Sequence, residues 1–600
     1  MADSSGNVQD RKLSHIWKFY EKRKGEGECK VCKKRIQTPT GSTSGLLRHL
    51  KLHPAAEKNY LDLTKEKATK QKENSYRQLS IQDCVTKKQK VSEARKTIID
   101  RKIGAMMACD FQPYSIVEDR GFKGLLNELE PGYEVPSRTT FSRSIVPKIY
   151  REEKAKLAEE IKTDVDDGLQ SVSFTTDMWS SARQDSFISL TSHYLTKDFE
   201  LKYHVLGNYH FSGSHTALAI QEKLTAAIEE WNFPTNSIPL YVVTDNAKNF
   251  TAAINKTSWI HTRCFAHTLQ LAVQDAKSEH NVADLLAKGR AIVGHYRHSN
   301  IARERLHALQ LKLSKPVHEL LPMVPTRWNS EFTMLSRLVE QQVPLSADLG
   351  DSMAVENFTL SEWKLAANVV SVLQPIEQAT RELCYSKFPT ISSKIPLLYG
   401  IEATLSNYVE EQSNPGIAFA ISLQKSIKSR FPLYTTVKED MIAMVLDPRF
   451  KNILLQDHEN LICVQRITSD LKVVVDKKTA SVPEENPSDT VEASCSLWNT
   501  FEHLKKSSCS SVKSPRVENE LTIYLGENVI PRSSDPLMWW QQNQSRFPAL
   551  ARVARKYLAI PATQVESERL FRSAGNTVTS RRENLLAENI EQLVFLNSRF

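Results

Sequence analysis

Two cysteines and two histidines in one short stretch constrain this chain more than anything else in it. Cys29 and Cys32 are two residues apart, His49 and His53 three apart, and sixteen residues separate the pairs. The spacing matches a structural zinc site: zinc takes four Cys or His ligands in a tetrahedron, and two short pairs supply them with little backbone strain. The cysteines flank Lys30-Val31 in a tight knuckle, preceded by Gly25 and Gly27. The histidines close the run Ser44-Gly-Leu-Leu-Arg-His-Leu-Lys-Leu-His53. A helix there places both imidazoles on one face. Ser42, Thr43 or Ser44 is expected to cap that helix and Pro54 to stop it. Trp17, Phe19 and Tyr20 supply the aromatic core that so small a domain needs around its metal. Such modules usually touch nucleic acid, and Arg48 and Lys51 are the candidate contacts, to phosphates or to bases.

The charge distribution agrees. The chain has 600 residues and a net charge of +9. Met1 to Lys102 holds 25 Lys and Arg against 12 Asp and Glu, a surplus of +13, which leaves −4 for the rest. A basic segment beside a zinc finger is the electrostatic footprint of DNA binding, with affinity falling steeply as salt rises. The Lys-rich patches around Lys65–Lys72 and Lys87–Lys90 read either as nuclear import signals or as a solvated linker. No apolar run is long enough to cross a bilayer, and Met-Ala-Asp-Ser-Ser-Gly is no secretory signal. The nine cysteines, mostly isolated, fit a reducing compartment. The expected location is the nucleus.

Six hundred residues imply three or more structural units. Residues 1–60 read as the finger and 61–92 as a flexible basic tether. Residues 93–165 are mostly helical, with Ile98, Ile99, Ile103, Met106 and Met107 at helical spacing. The pattern then alternates, with strands expected over 171–177, 187–194, 203–209 and 240–245, and helices over 215–231 and 247–254. This β-β-β-α-β-α order is that of the first part of a ribonuclease-H-like fold, whose first and fourth strands lie side by side. Residues 270–525 read as helical, with Pro375 expected to end or kink its helix, and with a disordered loop near 479–516.

Asp177 and Asp245 each close a predicted strand. If those strands are parallel neighbours, both carboxylates emerge at one sheet edge, where two close anions need a cation. Mg²⁺ suits such a pair, because it prefers hard oxygen ligands and keeps exchangeable waters. Cys264 and His267 lie one helical turn apart, but no second ligand pair accompanies them, so core packing or hydrogen bonding is the simpler reading.

Several motifs together resemble the hAT superfamily of transposases joined to a BED-type zinc finger. They are Phe174-Thr-Thr-Asp-Met-Trp179, Val243-Thr-Asp-Asn-Ala247, Arg263-Cys-Phe-Ala-His267, Thr326-Arg-Trp-Asn329, Leu446-Asp-Pro-Arg-Phe-Lys451, Asp535-Pro-Leu-Met-Trp-Trp540 and Pro561-Ala-Thr-Gln-Val-Glu-Ser-Glu-Arg-Leu-Phe571. The resemblance covers nearly the whole length and extends to host genes derived from such elements. It implies an α/β core of ribonuclease-H type, a mixed sheet interrupted by a large all-helical insertion, with the core spanning 166–269 and 526–600. It further implies an Asp177, Asp245 and Glu568 triad holding Mg²⁺ or Mn²⁺ for cutting and joining DNA ends. Glu566 lies two residues from Glu568, and spacing does not choose between them; the motif favours Glu568. By the same resemblance Cys264 and His267 sit beside the catalytic Asp, and Trp328 stacks on an extruded base, its alternative being a core Trp. Leu593, Val594, Phe595 and Leu596 lie in the family's dimerisation region, implying a homodimer or higher oligomer; the alternative is a helix packed on its own subunit. A regulator that binds DNA without cutting it is the other functional outcome.

Overall fold

The computed structural model describes residues 15–23, 25–38, 42–75, 90–181, 184–278, 280–324, 328–352, 355–385, 388–410, 415–431, 434–479, 515–577 and 585–600. The chain divides into two compact units, Met1–Ser92 with Leu126–Tyr133, and Glu93–Leu125 with Glu134–Phe600.

In the first unit, β1 (Tyr20–Arg23), β2 (Glu26–Cys29) and β3 (Arg35–Gln37) form an antiparallel sheet in that order. Gly25 turns β1 into β2 at φ +79°, a left-handed conformation that glycine adopts without steric cost. At Gly27 the sheet meets the helix Ser44–Leu50: a Cβ there would stand 2.9 Å from the Leu46 side chain. Ile16, Tyr20, Leu46 and Leu50 are fully buried, with Trp17 and Phe19 packed around them. This aromatic core is the one expected from the sequence.

Several local expectations fail. The helix that begins at Ser44 ends at Leu50, so His53 sits in the turn beyond it. Pro54 does not stop that helix but opens the next one, Pro54–Ser75; a first helical position needs no N–H, and proline's fixed φ suits it. Of the expected capping residues, Thr43 stands at the N-cap without a side-chain bond to the helix, and Ser42 Oγ accepts from Ser44 N–H at 3.5 Å. The stretch from 61 that reads as a tether is helical as far as Ser75. Lys, Glu, Gln and Ala are strong helix formers, so a polar composition is compatible with either state. Residues 76–89 lie outside the described residues, as do the side chains of 65–75.

The second unit is built on a five-stranded mixed sheet in the order β6-β5-β4-β7-β8. Its strands are β4 (Val172–Ser180), β5 (Ser186–Leu195), β6 (Leu201–Phe211), β7 (Leu240–Thr244) and β8 (Ile260–Arg263). The first four follow the sequence pattern closely. β4 and β7 are parallel neighbours, as the fold class requires. β8 was not expected: four residues, Ile-His-Thr-Arg, carry too little apolar periodicity, and only pairing with β7 defines them.

Both faces of the sheet are covered, which explains why β5 is buried along nearly its whole length. One face packs Phe174, Ile188 and Leu206 against Leu157 and Ile161 of the helix Val146–Asp166 and Leu224 of the helix Ala217–Glu229. Leu593, Phe595 and Leu596 of the helix Ala587–Arg599 join that same core, and Val594 packs with Phe187 and Val205. The apolar residues of the last helix thus pack inside the chain.

The helices from Phe265 to Arg430 share a core of their own. Within it, Pro375 sits inside the unbroken helix Leu360–Tyr385. Leu373 and Ile376 on either side of it are buried, so tertiary packing overrides one lost hydrogen bond. A further core joins Met441, Tyr524, Trp540 and Tyr557 to Tyr241 of β7. The motif Leu446–Lys451 is structural there: Arg449 grips the buried Asp447 carboxylate through two bonds, and Ser392 donates to the same carboxylate at 2.7 Å. Most of the loop read as disordered, residues 480–514, lies outside the described residues.

Candidate functional site

The metal-type cluster forms from local structure. The knuckle closes by Lys33 N–H donating to Cys29 C=O at 2.8 Å, with Lys33 at φ 61°. Cys29 N–H donates to Lys34 C=O at 2.9 Å. The turn after the first helix brings His53 to face His49, with ring centroids 5.1 Å apart. The donor atoms of Cys29, Cys32, His49 and His53 all lie within 4.8 Å of one another, and Cys32 Sγ is 3.2 Å from His49 Nε2. His53 Nε2 is buried without a hydrogen-bond partner. A buried ring nitrogen with no partner, facing two thiols and a second imidazole, fits a tetrahedral zinc ion. Burial holds His49 below its usual range and so favours the neutral ring that a metal requires. Beneath the site, Tyr20 OH donates to Leu46 C=O at 2.8 Å. Arg48 and Lys51 are exposed on the outer surface of the helix and turn.

The acids assemble by tertiary structure. β4 and β7 pair in parallel up to Thr175 and Val243. Asp177 and Asp245 each stand two residues further on, so the register carries both to the same level of one sheet edge. Asp177 does not end its strand: β4 continues to Ser180 because antiparallel β5 still pairs with it there. Asp245 follows the last residue of β7 and accepts from Ala247 N–H at 2.9 Å. Asn246 takes the left-handed conformation that turns the chain away.

Glu568 arrives on the helix Val565–Thr577. That helix is fixed to β4 by a bond between Ser567 Oγ and Thr175 Oγ1 at 2.8 Å, continued from Thr175 to Thr191 at 2.6 Å. The segment before it is held on both sides: Phe265 N–H donates to Ala562 C=O, and Ala562 N–H donates to Thr390 Oγ1, both at 2.9 Å.

The electrostatics join the three acids. The Asp177 carboxyl is pushed up to about 8, first by burial, then by the Asp245 charge, with Glu568 adding to it. Glu566 behaves differently. It pairs with Arg569 at 2.6 Å, and its pKa is raised by its own burial. Three converging carboxylates are a donor set for hard divalent cations. Their oxygens are not among the groups whose donors all lie within 4.8 Å of one another among the described residues.

The neighbours divide. Cys264 caps the helix Phe265–Ala276 and lies fully buried, its thiol pushed up to about 12 by burial, and it accepts Gln564 N–H at 3.5 Å. Its thiol is thus taken up by burial and by this one hydrogen bond. His267, held below its usual range by burial against the opposing pull of Asp245, lines a cavity of about 450 Å³ together with Glu568, Asn329, Thr333, Arg381 and Arg569. Trp328 opens the helix Trp328–Glu340, but its side chain lies outside the described residues. Thr175, Gln564 and Ser567 were missed as site residues. They stand within the quoted motifs, yet nothing in their spacing marks them.

Residues 175–259 match the ZBED1 RNase-like domain, 262–372 the ZBED1 RNase-like helical domain, and 520–600 the hAT family C-terminal dimerisation region. Over 98% of its length the chain is 27% identical to human zinc finger BED domain-containing protein 4, covering 52% of that protein. It is also 27% identical to human zinc finger BED domain-containing protein 6 over 83% of its length, covering 55% of that one. The chain therefore spans about half the length of these relatives. To the putative AC transposase of Zea mays it is 24% identical over 97% of its length, covering 75%.

Proposed function

We propose that this chain, a hAT-type, transposase-derived protein with a BED-type zinc finger, binds double-stranded DNA in the nucleus as a homodimer and carries an acid site for metal-dependent phosphodiester cleavage and strand transfer. One observation carries the catalytic part: the Asp177 carboxyl feels both Asp245 and Glu568, two acids that come from 68 and 391 residues away in sequence. A fold that gathers three acids at a sheet edge bears an electrostatic cost, which bound divalent cations remove. Asp177, Asp245 and Glu568 would hold the ions. Bound there, Mg²⁺ or Mn²⁺ supplies an activated water or hydroxyl and neutralises the leaving oxygen.

The chain's own residues do the rest. The Ser567–Thr175 bond keeps the helix of Glu568 against the strand of Asp177. Arg381 and Arg569 line the cavity beside Glu568, with His267 next to them, where a DNA phosphate would lie between cationic and anionic walls. In the first unit Arg48 and Lys51 face outward to contact DNA, and zinc on Cys29, Cys32, His49 and His53 holds the surface that presents them. Dimerisation is proposed through 520–600 by surfaces other than Leu593–Leu596.

The test is nicking of a labelled duplex selected by footprinting on random DNA, with Mg²⁺ present. Asp177→Asn is expected to lower the rate at least about 1000-fold, the several kcal/mol that a lost metal site represents, with DNA affinity retained. Glu566→Gln should leave nicking within a few-fold. Sequence-specific binding without nicking by the wild type would select the regulator that does not cut.

A further inference from the structure

Gln564 stands between the first acid and the third, and nothing in its surroundings explains it as packing alone. Its side chain is only 2% exposed. The amide nitrogen donates to Asp177 Oδ2 at 3.1 Å. Met178 N–H already occupies Oδ1 at 2.8 Å, so both oxygens of this carboxyl are oriented by the protein. The backbone carbonyl of Gln564 accepts from Ser567 N–H at 2.9 Å and Glu568 N–H at 3.3 Å, opening the helix that carries Glu568. The amide oxygen, Oε1, is buried with no hydrogen-bond partner. A buried amide oxygen left without a donor costs free energy unless something outside the protein's own groups supplies one.

We propose that Gln564 is a positioning residue for the divalent-ion site: its amide NH₂ orients the Asp177 carboxylate, and its unpartnered Oε1 accepts a hydrogen bond from a water of the bound ion. This rests on the reading of Asp177 as an ion ligand. Hydrated Mg²⁺ and Mn²⁺ keep several of their waters when they bind proteins, and such a water is a donor of the kind that Oε1 lacks. Residues that hydrogen-bond to a ligating carboxylate commonly set metal affinity by about 10- to 100-fold when removed.

Mn²⁺ titration of the zinc-loaded full chain, followed by the free-ion electron paramagnetic resonance signal, measures this without any reaction. Gln564→Met keeps the volume and the backbone cap but removes both amide groups; Gln564→Ala is the second variant, should Met distort the segment. Either is expected to weaken Mn²⁺ binding about 10- to 100-fold, and Asp177→Asn to abolish it. A purely structural Gln564 would lower the melting temperature of the ion-free chain while leaving Mn²⁺ affinity within twofold, and that result overturns the proposal. If Asp177→Asn loses the ion and both Gln564 variants keep it, only the role of Gln564 falls. If the wild type binds no Mn²⁺ beyond its zinc, the acid site itself is not an ion site and both readings fall together.

Discussion

The zinc cluster and the acid cluster are opposite solutions to the same problem of bringing charged ligands together. The four residues proposed to hold zinc come from 25 consecutive residues, and one knuckle and one turn bring their donors within 4.8 Å. The three acids are spread over 392 residues, and Asp177 feels the other two only because a parallel strand pair and a docked helix bring their segments to one edge of the sheet. The first site costs little chain entropy to close, but its core is too small to hold it without metal. The second is held by large cores on both faces of a sheet, so its geometry should persist without any ion.

The largest expected effect tests that contrast directly. Removing zinc should unfold the finger, because a structural zinc in a small domain contributes on the order of 10 kcal/mol to folding. Specific DNA binding should disappear, while the unfolding transition of Glu93–Leu125 with Glu134–Phe600 stays where it was. Backbone NMR or limited proteolysis of the zinc-free chain reads this; a finger that stays folded would end the comparison. Next in size is Phe595→Ala. Phe595 is fully buried beside Trp231 and Tyr150, and its loss should cost about 3–5 kcal/mol. The cost should be the same at every protein concentration. A loss that grows on dilution would instead place this helix between subunits.

The smallest effect concerns protons. The Asp177 carboxyl is raised from 3.8 to about 8 in the folded chain, so between those values the folded state keeps a proton that the unfolded state has released. Its contribution to stability is therefore greatest below about 4 and is lost as pH climbs toward about 8. Without added divalent ion, Asp177→Asn should raise the melting temperature at pH 8 by more than it does at pH 5. The difference should be no more than a few degrees in a unit this large. An equal change at both pH values would mean that Asp177 does not titrate there.

Much of this was visible in the residues. The alternation of Ser171–Asp177 and the apolar run Leu240–Thr244 gave two strands correctly, because period and β-branched content are local properties. Their parallel pairing followed from element order. The finger's core residues were legible because a domain that small has few aromatic residues to offer. The misreadings are equally local in origin. His53 belonged to a turn, and Pro54 suited a helix start as well as a stop. Pro375 was held inside a helix by neighbours 265–430 that no short window contains. β8 existed only through its partner, and Gln564 acquired meaning only when Asp177, 387 residues away, came within hydrogen-bond distance.

The amino-acid order alone determined the close Cys and His cluster, the basic first segment and the strand that leads to each Asp, since each depends on groups separated by a few bonds or a turn. It also named Glu568 over Glu566, though only through its motif. What folding decided was which carboxylates feel one another, that Glu566 is turned to Arg569, and that Leu593–Leu596 face their own sheet. Apart from Glu566 and Arg569, one helical turn from each other, those outcomes depend on distances between groups tens to hundreds of residues apart, which packing sets and no sequence spacing encodes.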